Sequence, residues 1–201
     1  MGGGHPECPD RLVAITDRMH GSGMIERVRT MEAPLAGPED LKRVHHARYV
    51  DLIFEHAPAE GLVQLDPDTA MSPHTLDAAL RAAGAAVLAT DLVMSGRAEN
   101  AFCSVRPPGH HATRKRAMGF CFFNNVAVGA WHARDAHGIK RVAVVDFDVH
   151  HGNGTQDMFY SDQELFFAST HQSPLYPGTG RSSETGVAGN IVNCPLRPGA
   201  G

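Results

Sequence analysis

Val142 to Gly154 reads VAVVDFDVHHGNG, an apolar run that ends in two aspartates, two histidines and two glycines. The stretch RVAVVDFD is continuously rather than alternately hydrophobic, the pattern of a strand buried on both faces of a parallel sheet. Side chains two apart on a strand share a face. If extended geometry persists through the end of the run, Asp146, Asp148 and His150 therefore point the same way. Three ionisable groups at the end of a buried strand are costly unless something pairs or neutralises them. A divalent cation does so, and zinc accepts both carboxylate and imidazole donors. The GNG glycines permit a turn with no bulky side chain close by. One aspartate alone would read as a helix cap and one histidine as an ordinary hydrogen-bonding group. The combined D-x-D-x-H-H-G spacing favours a metal site.

Helical and strand-like stretches alternate on either side of this run. Leu12, Ile15 and Met19 fit one helix face, entered at Pro9-Asp10, and GPEDLKRVHHARYVDLIFEHA reads as one or two helices with Pro38 in a first turn. SPHTLDAALRAAGAAVLATDLVMSG is the clearest helix: Ser72 can cap it, Pro73 suits its first turn, Leu76, Leu80, Ala83 and Val87 form a stripe, and Gly96 can end it. AFCSV, Ala101 to Val105, reads as a short strand leading into the loop RPPGHHA. FNNVAVGAWHARDAHG is helical with Gly138 as terminator, and LFFAST, Leu165 to Thr170, is a further strand before HQSPLYPGTG. With no internal repeat or linker, the alternation predicts one α/β domain with a parallel sheet covered by helices on both faces. In such sheets ligands bind beyond the carboxyl ends of the strands.

The 201 residues suit a single domain, and a hydrophobic fraction of 42% is enough for a core. Eighteen Lys and Arg against 22 Asp and Glu leave a formal charge of -4, which gives no general reason to expect nucleic acid or an anionic membrane as partner. Four scattered cysteines show neither C-x-x-C spacing nor a dense disulfide pattern and suit a reducing cytoplasm. No apolar run approaches the roughly 20 residues that span a bilayer, and the MGGGHPECPDR start lacks a basic and then apolar leader. A soluble, cytoplasmic protein is expected.

In RPPGHH, a stiff proline loop can present the adjacent histidines His110 and His111 near a metal-bound water. A hydrogen-bond partner on the far nitrogen of each ring would fix its tautomer; Asp146 is a candidate for one and Asn153 for the other. The motifs HPECPDRL, RPPGHHA, GFCFFNN and DFDVHHGNGTQ, in that order, closely resemble the zinc-dependent histone deacetylase superfamily. The resemblance is strongest to its class II type and its bacterial members, which include acetylpolyamine amidohydrolases. It runs from His5 to about Tyr176.

The resemblance implies an arginase-like α/β fold with a central parallel sheet flanked by helices, and hydrolysis of an N-acetyl amide, acetyl-lysine or an acetylpolyamine, to amine and acetate. It implies Asp148 and His150 as two of three zinc ligands, His111 as general base and acid, and His110 as chiefly electrostatic. Asp146 matches the carboxylate behind His110, and Asn153 the class II partner of His111. Phe120 matches one wall of the acyl-lysine tunnel, Gly119 its neighbour, and Tyr176 takes the place of the opposite wall, usually Phe. An inner potassium site would use Asp146, Asp148, His150, Ser169 and the backbone of Thr170.

The family's third zinc ligand, an Asp in a D-x-x-x-x-D-P segment, and its oxyanion-stabilising GGY tyrosine have no counterpart in this sequence. Residues 1–201 are therefore expected to be the amino-terminal portion of one deacetylase domain, trimmed at both ends. Such a portion should bind metal weakly and expose an apolar sheet edge that promotes association, with His171 a conceivable makeshift ligand. Two other readings stay open: a non-catalytic remnant that binds acetylated ligands or partners, and a manganese ureohydrolase, which the HH pair disfavours.

Overall fold

A computed structural model describes residues 4–200. Residues 1–3, part of the start on which the leader expectation rests, and residue 201 lie outside the described residues. The helices are α1 (Asp10–Gly21), α2 (Pro38–Lys42), α3 (Ala47–Glu55), α4 (Thr75–Met94), α5 (Asn125–His137) and α6 (Asn153–Phe159). The strands are β1 (Val63–Asp66), β2 (Thr69–Met71), β3 (Val142–Asp146), β4 (Leu165–Gln172) and β5 (Ile191–Leu196). β3, β4 and β5 form a parallel sheet in that order, and β1 and β2 an antiparallel hairpin. This is the α/β architecture expected, with helices flanking a parallel sheet.

Local chemistry accounts for most boundaries. Pro38 opens α2, where a missing N–H costs nothing. Asn124 caps α5 by accepting the Ala127 N–H at 3.1 Å, and Gly138 ends it in the left-handed conformation, at φ 67°. Ser72 does not cap α4. The Thr75 hydroxyl accepts the Ser72 amide at 2.9 Å, which folds Ser72 and Pro73 into the preceding turn, and the helix begins two residues later than the pattern predicts. The core joins Leu41, Val50 and Ile53 from α2 and α3 to Phe122, Phe123, Val128, Phe159, Leu165, Phe167 and Ile191.

Two expectations fail for one reason. Ala101–Val105 joins no ladder, and Phe102 is 73% exposed. β3 alternates in burial rather than being buried throughout, with Val145 66% exposed. A continuous apolar run becomes a doubly covered strand only where elements cover both faces and edges. Among the described residues β3 pairs with β4 alone, which leaves Val145 exposed.

Candidate active site

β3 stops at Asp146, so strand alternation does not align Asp146, Asp148 and His150. Two consecutive turns bring them together instead: the Asp148 amide donates to Asp146 Oδ1 at 3.1 Å and the His150 amide to Asp148 Oδ1 at 2.8 Å. The carbonyl of His110 accepts the Gly154 and Thr155 amides at 2.9 and 3.2 Å, so the start of α6 anchors the RPPGHH loop. The GNG glycines serve this packing: a Cβ at Gly152 would strike the Asp146 carboxylate, and one at Gly154 the Ala112 carbonyl.

The two imidazoles lie 4.0 Å apart between ring centres. His110 Nδ1 is 2.8 Å from Asp146 Oδ2, and His111 Nδ1 is 2.8 Å from Asn153 Oδ1. Both expected partner pairs are thus formed. Because the Asn153 oxygen can only accept, His111 Nδ1 carries the proton and its Nε2 keeps a lone pair that no side chain uses among the described residues. Burial, and then the charge of His110, lower the His111 pKa to about 4, so the ring is neutral at pH 7. Burial opposes ionisation of Asp146, but its hydrogen bond and charge interaction with His110 outweigh it and hold the carboxyl below its ordinary value.

His150 Nδ1 and Asp148 Oδ1 converge at 3.1 Å. That separation is close to the roughly 3.3 Å between neighbouring ligands of a tetrahedral zinc with bonds near 2.0 Å. The pair fits as two members of a zinc ligand set. Among the described residues no third His, Cys, Asp or Glu completes it. His171 does not serve: it is buried against His151, with Nδ1 at 3.0 Å from Ser169 Oγ and Nε2 at 3.1 Å from the Gly180 carbonyl. Ser169 is buried and pairs in register with Asp146 across β3 and β4, whereas the Thr170 side chain is exposed.

Tyr176 stands edge-on to His111, with ring centres 5.0 Å apart, and to His150 at 6.1 Å. Burial and then the nearby Asp68 and Asp66 carboxylates push its phenol up to about 12. A Cβ at Gly119 would collide with the His111 ring, so glycine lets the loop touch the imidazole. Phe120 follows, with the His5 ring edge-on at 4.6 Å.

Sequence reading missed the supports. Glu7 is buried and receives both Arg106 Nε at 3.0 Å and Arg106 Nη2 at 2.7 Å, which ties the HPE segment to the start of RPPGHH. Both residues lie inside quoted motifs, but nothing in their spacing says that they meet. A third carboxylate–histidine group, Asp91 with His132 and His137, has its ligand atoms within 4.8 Å of one another. Here Arg43 Nη1 lies 3.1 Å from His132 Nδ1. A guanidinium can only donate, so the His132 proton sits on Nε2 and goes to Asp91 Oδ1, 2.7 Å away. His137 Nε2 meets the same oxygen at 2.7 Å, and the group is a hydrogen-bonded fork between α4 and α5.

A paired HH loop, a strand-end Asp–His pair and an asparagine behind the second histidine thus gather at one end of a parallel sheet. Residues 5–201 match the histone deacetylase domain, and the chain belongs to that family. It is 41% identical to the histone deacetylase-like amidohydrolase of Pseudomonas aeruginosa, over 98% of this chain and 53% of that protein. It is also 41% identical to a probable deacetylase of Archaeoglobus fulgidus, over 98% of this chain and 55% of that protein. Human polyamine deacetylase HDAC10 is 40% identical over 83% of this chain and 26% of its own length. The crystal structure of the HDA15 HD domain superposes with a TM-score of 0.90 at 38% identity, over 95% of this chain and 55% of that one. The chain thus spans about half the length of the first two relatives.

Proposed function

We propose that these residues carry the proton-transfer machinery of a zinc-dependent amidohydrolase that cleaves N-acetylated alkyl amines, the side chain of acetyl-lysine or an acetylpolyamine. The observation that carries the reading is the neutral, proton-poor Nε2 of His111, held beside the Asp148–His150 pair by an uncharged Asn153. Zinc bound by Asp148 and His150 together with a third ligand would polarise the amide carbonyl and acidify a bound water. His111 then accepts the proton of the attacking water and returns one to the departing amine. Asn153 fixes the tautomer this requires. His110, anchored on Asp146, gives electrostatic support alongside, and Phe120 and Tyr176 wall the alkyl stem.

Potassium is proposed behind the site at Asp146, Asp148, His150, Ser169 and Thr170. The register that sets Ser169 beside Asp146 supports it. Four free cysteines fit a reducing cytoplasm, and no helix among the described residues is long and apolar enough to cross a membrane.

The test is amine release from a fluorogenic acetyl-lysine substrate with stoichiometric zinc, on this chain and on the complete protein. Turnover lost in Asp148→Ala and in His111→Ala, with zinc still bound in the latter, supports the assignment. Full turnover in His111→Ala would overturn its role as base. Binding of acetylated ligand without hydrolysis by the complete protein would favour the binding-only alternative.

A further inference from the structure

We infer that Asp68 and Thr69, at the tip of the β1–β2 hairpin, are positioning residues that hold the Gly119–Phe120 turn left-handed and so fix the Phe120 ring on the turn whose Gly119 touches His111. That this ring borders an acyl channel rests on the deacetylase reading; the restraint itself does not.

Met118 and Cys121 exchange backbone hydrogen bonds at 3.2 and 3.0 Å and close a two-residue turn. Both central residues have positive φ, 57° at Gly119 and 68° at Phe120, the arrangement that strongly favours Asn and Gly. Phe120 is the only non-glycine residue with positive φ among the described residues. A bulky L-residue stays in that region only where its surroundings over-determine it, and such positions cluster at functional sites. Glycine at 120 would relax the turn and lose the ring. The chain keeps the ring and restrains the backbone from outside.

The restraint is a closed set of hydrogen bonds. Closing the turn leaves the amides of Gly119 and Phe120 without partners inside it. Gly119 N–H donates to Asp68 Oδ1 at 3.1 Å and Phe120 N–H to Thr69 Oγ1 at 3.0 Å, while the Thr69 hydroxyl donates to Asp68 Oδ1 at 2.8 Å. Thr69 is fully buried, so water cannot replace it. Arg116, just before the turn, also pairs with the buried Asp66 of β1, which fastens the hairpin to the loop at a second point.

The experiment labels this chain with 4-fluorophenylalanine and identifies the Phe120 ¹⁹F signal through Phe120→Leu. Thr69→Val keeps the shape and removes the hydroxyl; it should broaden the Phe120 signal and move it towards the unfolded value while the other phenylalanine signals hold. Thr69→Ser should restore it. Asp68→Ala, at a partly exposed position, should act in the same direction, and Asp68→Asn, which keeps an acceptor oxygen, should act much less. This pair keeps the test decisive should Thr69→Val fail to fold. An unmoved Phe120 signal in folded Thr69→Val or Asp68→Ala overturns the inference. With the complete protein and the fluorogenic acetyl-lysine substrate, Thr69→Val should raise KM about tenfold and change kcat about twofold or less. A wild type without turnover counts against the deacetylase reading and leaves the ¹⁹F result intact.

Discussion

His45 and His111 are both buried, and burial is the main reason that each is pushed down to a pKa of about 4. What separates them is the second ring nitrogen. His45 Nδ1 faces the Thr113 carbonyl at 3.0 Å and its Nε2 accepts the Asn124 amide at 2.9 Å, so the ring is fully used in joining three segments. His111 has one nitrogen on Asn153 and the other free among the described residues. A depressed pKa therefore does not by itself separate a structural imidazole from the base proposed above; the unspent lone pair on His111 is what sets the two apart.

Alanine at each position gives the largest test of that distinction. His111→Ala should lower turnover of the complete protein by about 10²–10⁴-fold, the usual contribution of a positioned acid–base group, and leave folding intact. His45→Ala should instead cost roughly 2–5 kcal/mol of stability, because the Thr113 carbonyl and Asn124 amide lose a partner in the interior. Denaturant melts beside rate measurements separate the two. A His45 variant that folds normally but turns over slowly would break the comparison.

Acid should reveal what the two rings share. Their folded pKa of about 4 lies below the ordinary 6.5, so between those values the unfolded chain binds protons that the folded chain does not. Stability present above about pH 6.5 is lost as pH falls towards 4 and is not lost further below it, on the order of 3 kcal/mol for each ring. Chemical denaturation across pH 4–7 checks this, and His45→Gln should flatten the slope. An unchanged slope would mean that His45 does not titrate as its burial requires.

Asn153 sharpens the same contrast from the partner's side. Asn153→Ala should lower turnover by about tenfold through loss of tautomer control. Asn153→Asp adds a negative charge beside His111 and should raise its pKa, moving the acidic limb of the pH–rate profile upward. A limb that stays in place would detach His111 from the titration.

Legibility in the sequence followed locality. The histidine pair, Asp146, Asp148, His150 and Asn153 sit in two short motifs, RPPGHH and DFDVHHGNG, so their residue types could be read together. The carboxyl end of α5 was legible because Gly138 acts on its nearest turn. How the site is held was less so. Glu7 and Arg106 meet across 99 residues, and Asp68 reaches Gly119 across 51. Continuous hydrophobicity likewise described the composition of β3 without saying what covers it, and the Asp146–His150 turns replaced the strand alternation that seemed to align those side chains.

The smallest effect concerns the third kind of histidine. His137 is partly exposed and shares Asp91 Oδ1 with His132, so His137→Ala should change stability by about 1 kcal/mol or less. Its value lies in zinc binding, followed by titration of the metal alone. If the fork is the hydrogen-bonded tie that Arg43 imposes, zinc uptake is unchanged in His137→Ala and falls in His150→Ala. Loss of zinc in His137→Ala with uptake preserved in His150→Ala would reverse the two assignments. It would mean that the proton on His132 Nε2 yields to metal and that the Asp148–His150 convergence, for all its fit, is an ordinary turn.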